Sequence, residues 1–283
     1  MIKVLVIILA YKNPPIATLA SLKNQVDDNK ILLDIYIVAA YKSACNVPSH
    51  YENVKCIVIK PPRTMREIGE RVGFSITTLF RLININKYDY LVKLDDDAYL
   101  PRDFFEKNLQ QPFIALGAGA AMILNTKYYV RVFGNKWPIS ALDDFIIMYT
   151  IEAIWRAKVY AWRYIRKPVL LRNQISKPQL RRWLKMGFEF YKMGFTTTYM
   201  ILYTLKRIIF IPKVLNTKSR MYYVLWHMFQ LLGYFIAYIF RMKKYYYSPL
   251  ISMEQKHRLK RGLLRLLSIK SHKLYGLSKS KTG

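Results

Sequence analysis

A chain of 283 residues that is 53% hydrophobic and 15% aromatic carries enough apolar mass to bury a full core, which excludes a disordered chain. The 46 Lys and Arg against 17 Asp and Glu are unevenly placed: residues 1–150 hold 18 basic and 14 acidic side chains, residues 151–283 hold 28 and 3. Two functional regions follow, the second drawn to polyanions such as nucleic acid, anionic lipid or a pyrophosphate-bearing substrate.

The N-terminal run MIKVLVIILA is too short in its apolar part for a signal peptide and lacks a small-residue cleavage site; its β-branched residues predict a buried first strand over 2–9. A Pro-started helix, IATLASLKNQ, precedes strands at 32–40 and 54–60. A longer helix over 66–84 and a strand, YDYLVKL, at 88–94 come next. Strands alternating with helices predict an α/β fold with a mostly parallel sheet flanked by helices, in which ligands collect at the carboxyl ends of the strands. Cys45 and Cys56 have no metal-like spacing to a histidine, so two free thiols in a reducing cytoplasm are expected, with a disulfide between them as the alternative.

Asp95, Asp96 and Asp97 fall at such a strand end, directly after YLVKL. Three adjacent acids form either a solvated turn or a hard-oxygen site suited to Mg2+ or Mn2+, which keep positions open for phosphate oxygens. Further on, PRDFFEKNLQ is expected to be helical, and ALGAGAAMILN (115–125) a glycine-containing strand approached closely by another group. In SALDDFIIMYTIEAIWRA, Asp143 and Asp144 open a helix, where acids either cap free N–H groups or serve as a general base.

The stretch QLRRW follows Asp144 by 35 residues and places Gln179, Arg182 and Trp183 in a QxxRW pattern; its bland alternative is a basic surface helix. The run GFTTTYMILYTLKRIIFIP (194–212), broken by Lys206 and Arg207, is expected along a surface. Residues 221–240, MYYVLWHMFQLLGYFIAYIF, contain no charged side chain, although tyrosines, His227 and Gln230 make them wetter than most spans. An in-plane amphipathic helix, a true span and a soluble core helix are the three alternatives. HRLKRGLLRLLSIK has leucines at helical spacing among cations, and the tail after about 270 is Ser- and Lys-rich.

The N-terminal strand, the Tyr-Lys-Asn-Pro segment at 11–14, LDDDAYLP, the Asp143–Asp144 pair and QLRRW together resemble the family-2 inverting glycosyltransferases over residues 1 to about 185. The resemblance implies a GT-A fold, with Asp95 and Asp97 on the outer positions of a DXD motif and Asp97 as the usual metal ligand. It implies Mn2+ or Mg2+ as cofactor. Tyr11, Asn13 and Asp95–Asp97 are implied in binding the nucleotide sugar, UDP- or GDP-linked. The resemblance further implies that Asp144, beside Asp143, takes the acceptor proton and that Gln179, Arg182 and Trp183 cradle the acceptor terminus and diphosphate. Three departures stand: IVAAYKSA carries no acid after the second strand, since Asp34 lies too early; the interval from the aspartate triplet to Asp143–Asp144 is shorter than in the large processive synthases; and the chain lacks their multiple spans. A single-addition enzyme is the better match.

The resulting expectation is a nucleotide-sugar domain over 1–189, a basic membrane-associated helical region over 190–270 and a tail over 271–283. The activity expected is metal-dependent, hexosyltransferase-type transfer to a lipid-linked or cell-surface glycan acceptor, on an anionic membrane surface at the cytoplasmic face, with no nucleic acid partner. The alternatives are a nucleic-acid-binding protein, for which the uncharged 221–240 run has no purpose, and an inactive membrane scaffold of the same fold.

Overall fold

A computed structural model describes residues 1–23, 25, 30–49, 51, 53–110, 113–117, 119–140, 142–155, 167–170, 180–211 and 217–260. The chain divides into two compact units, Met1–Ser176 and Lys177–Gly283, and Arg182 and Trp183 fall in the second. In the first unit the elements are β1 (Ile2–Ala10), α1 (Ile16–Lys23), β2 (Ile31–Ala39), β3 (Val54–Val58), α2 (Ile68–Leu82), β4 (Tyr90–Asp95) and β5 (Ala98–Tyr99). They continue with α3 (Phe104–Leu109), β6 (Ala115–Leu116), β7 (Ala121–Asn125), α4 (Thr126–Phe133), α5 (Asp143–Trp155) and β8 (Val169–Leu170).

Six strands form one sheet in the order β3-β2-β1-β4-β7-β6. The first four are parallel, as the alternation of strands and helices predicts, whereas β7 runs antiparallel to both β4 and β6. Residues 115–125 are therefore not one strand but two, joined by a turn. Gly117 and Gly119 both have φ near +78°, at 77° and 78°, a region L side chains rarely adopt, and that reverses the chain.

The period-two alternation of the strands sorts the core onto two faces. Val4, Val6 and Ile8 of β1 pack with Leu19 and Leu22 of α1 and Phe104 and Phe105 of α3. Leu5 and Ile7 pack on the other face with Ile76 and Leu79 of α2, Tyr129 of α4 and Ile147 and Ile151 of α5. A reciprocal capping box between Glu67 and Glu70 starts α2. Its Gly73 lies so close to the Pro138 carbonyl that any side chain would overlap it.

The two cysteines are not free. Cys45, in the short turn after β2, is bonded to Cys56 in β3, with Cα atoms 5.6 Å apart. β2 and β3 are adjacent, with Ile37 opposite Cys56, and the chain leaving β2 folds back over that neighbour. Spacing along the chain could not show this fold-back. The free-thiol ground for a reducing compartment falls away with it.

In the second unit, α6 (Leu180–Lys192), α7 (Thr197–Ile209) and α8 (Thr217–Ile239) pack together, and residues 248–260 are also helical. α6 and α8 meet through glycines: a Cβ on Gly187 would strike the Gln230 carbonyl, and one on Gly233 the Leu184 carbonyl. Among the described residues no helix is long and apolar enough to cross a membrane. The stretch 257–270 is described, and helical, only to residue 260; Gln179 and the 271–283 tail lie outside the described residues.

Candidate functional site

Strand register brings the candidate residues of the first unit to one edge of the sheet. Leu9 of β1 is opposite Asp95 of β4, and Ala10 is opposite Ala39 of β2, so Tyr11, Tyr41 and Asp96 emerge just past neighbouring strand ends. The Tyr11 and Tyr41 rings meet edge to face at 5.1 Å, with the Lys12 Nζ 5.4 Å from the Tyr41 ring. Both tyrosines are exposed, as is Asn13, and the Ser43 hydroxyl ties the loops by donating to the Lys12 carbonyl at 2.7 Å. Beside them Tyr41, Lys42, Val58 and Lys60 line a cleft of about 620 Å³ next to the disulfide. A larger cleft of about 760 Å³ opens at the opposite edge, around Met1, Tyr88 and Tyr90, away from these acids.

The strand-end turn is anchored from α1, whose Thr18 hydroxyl donates to the Asp96 carbonyl at 2.9 Å. The Asp95 N–H donates to the Ala120 carbonyl, which docks the glycine turn against the end of β4. Alternation along β4 then decides what Asp95 faces. Leu91 lies on the α2–α5 side and Val92 on the other, so Lys93 and Asp95 share the face on which α5 begins.

There Lys93, only 6% exposed, meets the acidic pair of α5. Its Nζ lies 2.8 Å from Asp144 Oδ1 and 3.9 Å from Asp143 Oδ2. The second Asp144 oxygen accepts the Gly119 backbone N–H at 2.7 Å, and Asp143 accepts the Trp137 indole N–H at 2.8 Å. Asp143 and Asp144 are the first two residues of α5 and belong to a buried ionic cluster with Lys93. The Trp137 backbone is held in turn by its N–H donating to Thr77 of α2 at 2.9 Å.

Charge balance shapes this cluster: one ammonium faces three carboxylates. Burial pushes Asp95 up to about 6, with Asp144, Asp97 and Asp96 adding to the rise and Lys93 opposing it. Burial likewise raises Asp143 to about 7, against the pull of Lys93. Burial works against the Lys93 charge, yet Asp143, Asp144 and Asp95 together raise its pKa. The excess negative charge and the hard oxygen donors fit a divalent cation at Asp95 and Asp97. Among the described residues no three His, Cys, Asp or Glu side chains are gathered in a group that could hold a metal ion.

Arg182 and Trp183 lie on α6 of the second unit, Arg182 exposed and Trp183 half-buried with its ring 6.2 Å from that of Phe229. The residue that sequence reasoning missed is Lys93. Its signal was a lone cation inside an otherwise apolar strand, two positions before Asp95.

No family model matches the chain, and no curated protein matches it. The solved structures it is similar to include residues 1–349 of S. aureus TarS, at 11% identity over 87% of this chain and 76% of that one, with a TM-score of 0.40. The same fragment in complex with UDP gives 11% identity, 87% and 93% coverage and a TM-score of 0.40. An active-site mutant of LgtC gives 13% identity, 54% and 64% coverage and a TM-score of 0.32. Likeness this loose carries no weight for function, which rests on the residues of the site.

Proposed function

We propose that the protein is a metal-dependent inverting glycosyltransferase that moves one sugar from a nucleotide diphosphate donor to a lipid-linked or glycan acceptor at a membrane surface. The observation that carries this reading is the convergence at one sheet edge: Asp95–Asp97 end β4 beside the exposed Tyr11–Tyr41 pair, and Asp95 shares its face with the Lys93–Asp144 ion pair. Asp95 and Asp97 hold Mn2+ or Mg2+. When bound, the ion supplies Lewis-acid neutralisation of the charge that develops on the departing diphosphate. Tyr11 and Asn13 line the donor side, where an aromatic face suits a nucleobase.

Asp144 takes the proton of the acceptor hydroxyl as that oxygen attacks the anomeric carbon from the side opposite the diphosphate, inverting it. Each of its oxygens already accepts one hydrogen bond, from Lys93 and from the Gly119 N–H, which orient the carboxylate and leave a lone pair for the acceptor hydroxyl. Gln179, Arg182 and Trp183 keep the acceptor and diphosphate roles that the QxxRW resemblance implies. Thiol labelling in cells, by reporting whether the Cys45–Cys56 bond forms, decides on which side of the membrane the enzyme works.

A thermal-shift screen of nucleoside diphosphates with and without Mn2+ tests the reading. One nucleotide should stabilise the protein only with Mn2+, and Mn2+ alone should do little, because the protein offers two carboxylates rather than a complete shell. Asp97→Ala should abolish both that shift and metal-stimulated transfer. No shift with any nucleotide, or an undiminished shift in Asp97→Ala, rejects the assignment.

A further inference from the structure

We infer that the outward face of α8 is a bilayer-docking surface that lies in the plane of an anionic membrane at headgroup depth. The inference rests on the membrane placement proposed above and assigns its contact to particular residues.

α8 is apolar on the outside and polar within. His227, Gln230, Gly233, Tyr234 and Ala237 are buried, and among them His227 Nδ1 pairs with Gln230 Oε1 at 3.0 Å. Met221, Leu225, Met228, Leu232 and Ile239 are exposed. At about 100° per residue these five fall within roughly 60° of arc, diametrically opposite the buried set. A helix on the surface of a protein in water carries charged side chains on its outer stripe. This one carries none between Arg220 and Arg241, a run of five full turns of helix at about 3.6 residues each. α7 also exposes Leu202, Leu205 and Ile209 at helical spacing, with the cation Lys206 exposed among them.

Charge identifies the occupant. Residues 177–283 carry 22 Lys and Arg against 2 Asp and Glu, and Arg220, Arg241, Lys243 and Lys244 are exposed at the two ends of the apolar stripe. An apolar strip bounded by cations matches the acyl boundary and phosphate headgroups of anionic lipid. A second copy of so basic a unit is repelled by the same charge. A nucleic acid finds on the stripe no group that could donate a hydrogen bond to phosphate or base. α8 is not apolar enough to cross, so it lies along the surface.

Co-sedimentation of the full chain with phosphatidylglycerol/phosphatidylcholine vesicles and with pure phosphatidylcholine vesicles tests this. Wild type should bind the anionic vesicles, and Leu225→Asp/Leu232→Asp should bind at least tenfold more weakly. Because both side chains point outward, circular dichroism melting and the Mn2+-dependent nucleotide shift should be unchanged in that variant. Lys243→Glu/Lys244→Glu, which leaves the stripe intact, should weaken anionic binding and steepen its loss with salt. Undiminished vesicle binding by Leu225→Asp/Leu232→Asp overturns the assignment, as does a lipid-free wild-type dimer that this variant converts to monomer. Retention of the nucleotide shift in either case leaves the glycosyltransferase reading standing, so the two failures are separable.

Discussion

Lys93→Met removes a buried cation while keeping the length of the side chain, and its effect follows from what the ammonium leaves behind. Asp144 loses its 2.8 Å partner, Asp143 its 3.9 Å one, and Asp95 the positive charge that most offsets its burial. Breaking a buried ion pair by deleting one member costs about 3–5 kcal/mol, because the surviving charge stays desolvated. The deficit has a definite pH dependence. Asp95 and Asp143 already sit near 6 and 7, and loss of the cation raises both further. A carboxyl raised in the folded state binds its proton more tightly there than in the unfolded chain, so stability falls as pH rises through the folded value and recovers as pH drops. Urea melts of Lys93→Met and wild type at about pH 8 and about pH 5 should therefore show the large deficit at the higher pH and a much smaller one at the lower. Equal stabilities at about pH 8, or a deficit that grows on acidification, refute the ionic account of this cluster.

Asp144→Asn removes the proton acceptor while keeping its shape, and transfer should fall about 10²–10⁴-fold with the nucleotide shift retained; parallel losses of both assign Asp144 a purely structural role. Metal-dependent nucleotide affinity should rise with pH and level off above about 6, since the proton on Asp95 must leave before a cation binds, and titration calorimetry across that range checks it. A flat profile through pH 6 removes Asp95 from the ligand set. Gly187→Ala drives a methyl group into the Gln230 carbonyl at the α6–α8 crossing and should cost about 1–3 kcal/mol in a denaturant melt, with no change if the helices separate freely.

Much of the first unit could be read from local pattern. The alternating apolar runs locate β1 to β4, and the position of three aspartates directly after YLVKL places them at the carboxyl edge, because a strand followed by a crossover helix leaves its C-terminal end open to ligand. Local pattern failed where long-range pairing or single backbone angles decide. The left-handed Gly117 and Gly119 split 115–125 into a hairpin, and the disulfide arises only because the chain after β2 folds over β3. Lys93 meets Asp144 across 51 residues of chain, a contact that exists only once α5 packs beneath β4. For α8 the uncharged composition was visible but its orientation was not. From Met221 to Ile239 both of its faces are free of charge, and only packing against α6 and α7 turned His227 and Gln230 inward and the aliphatic stripe out.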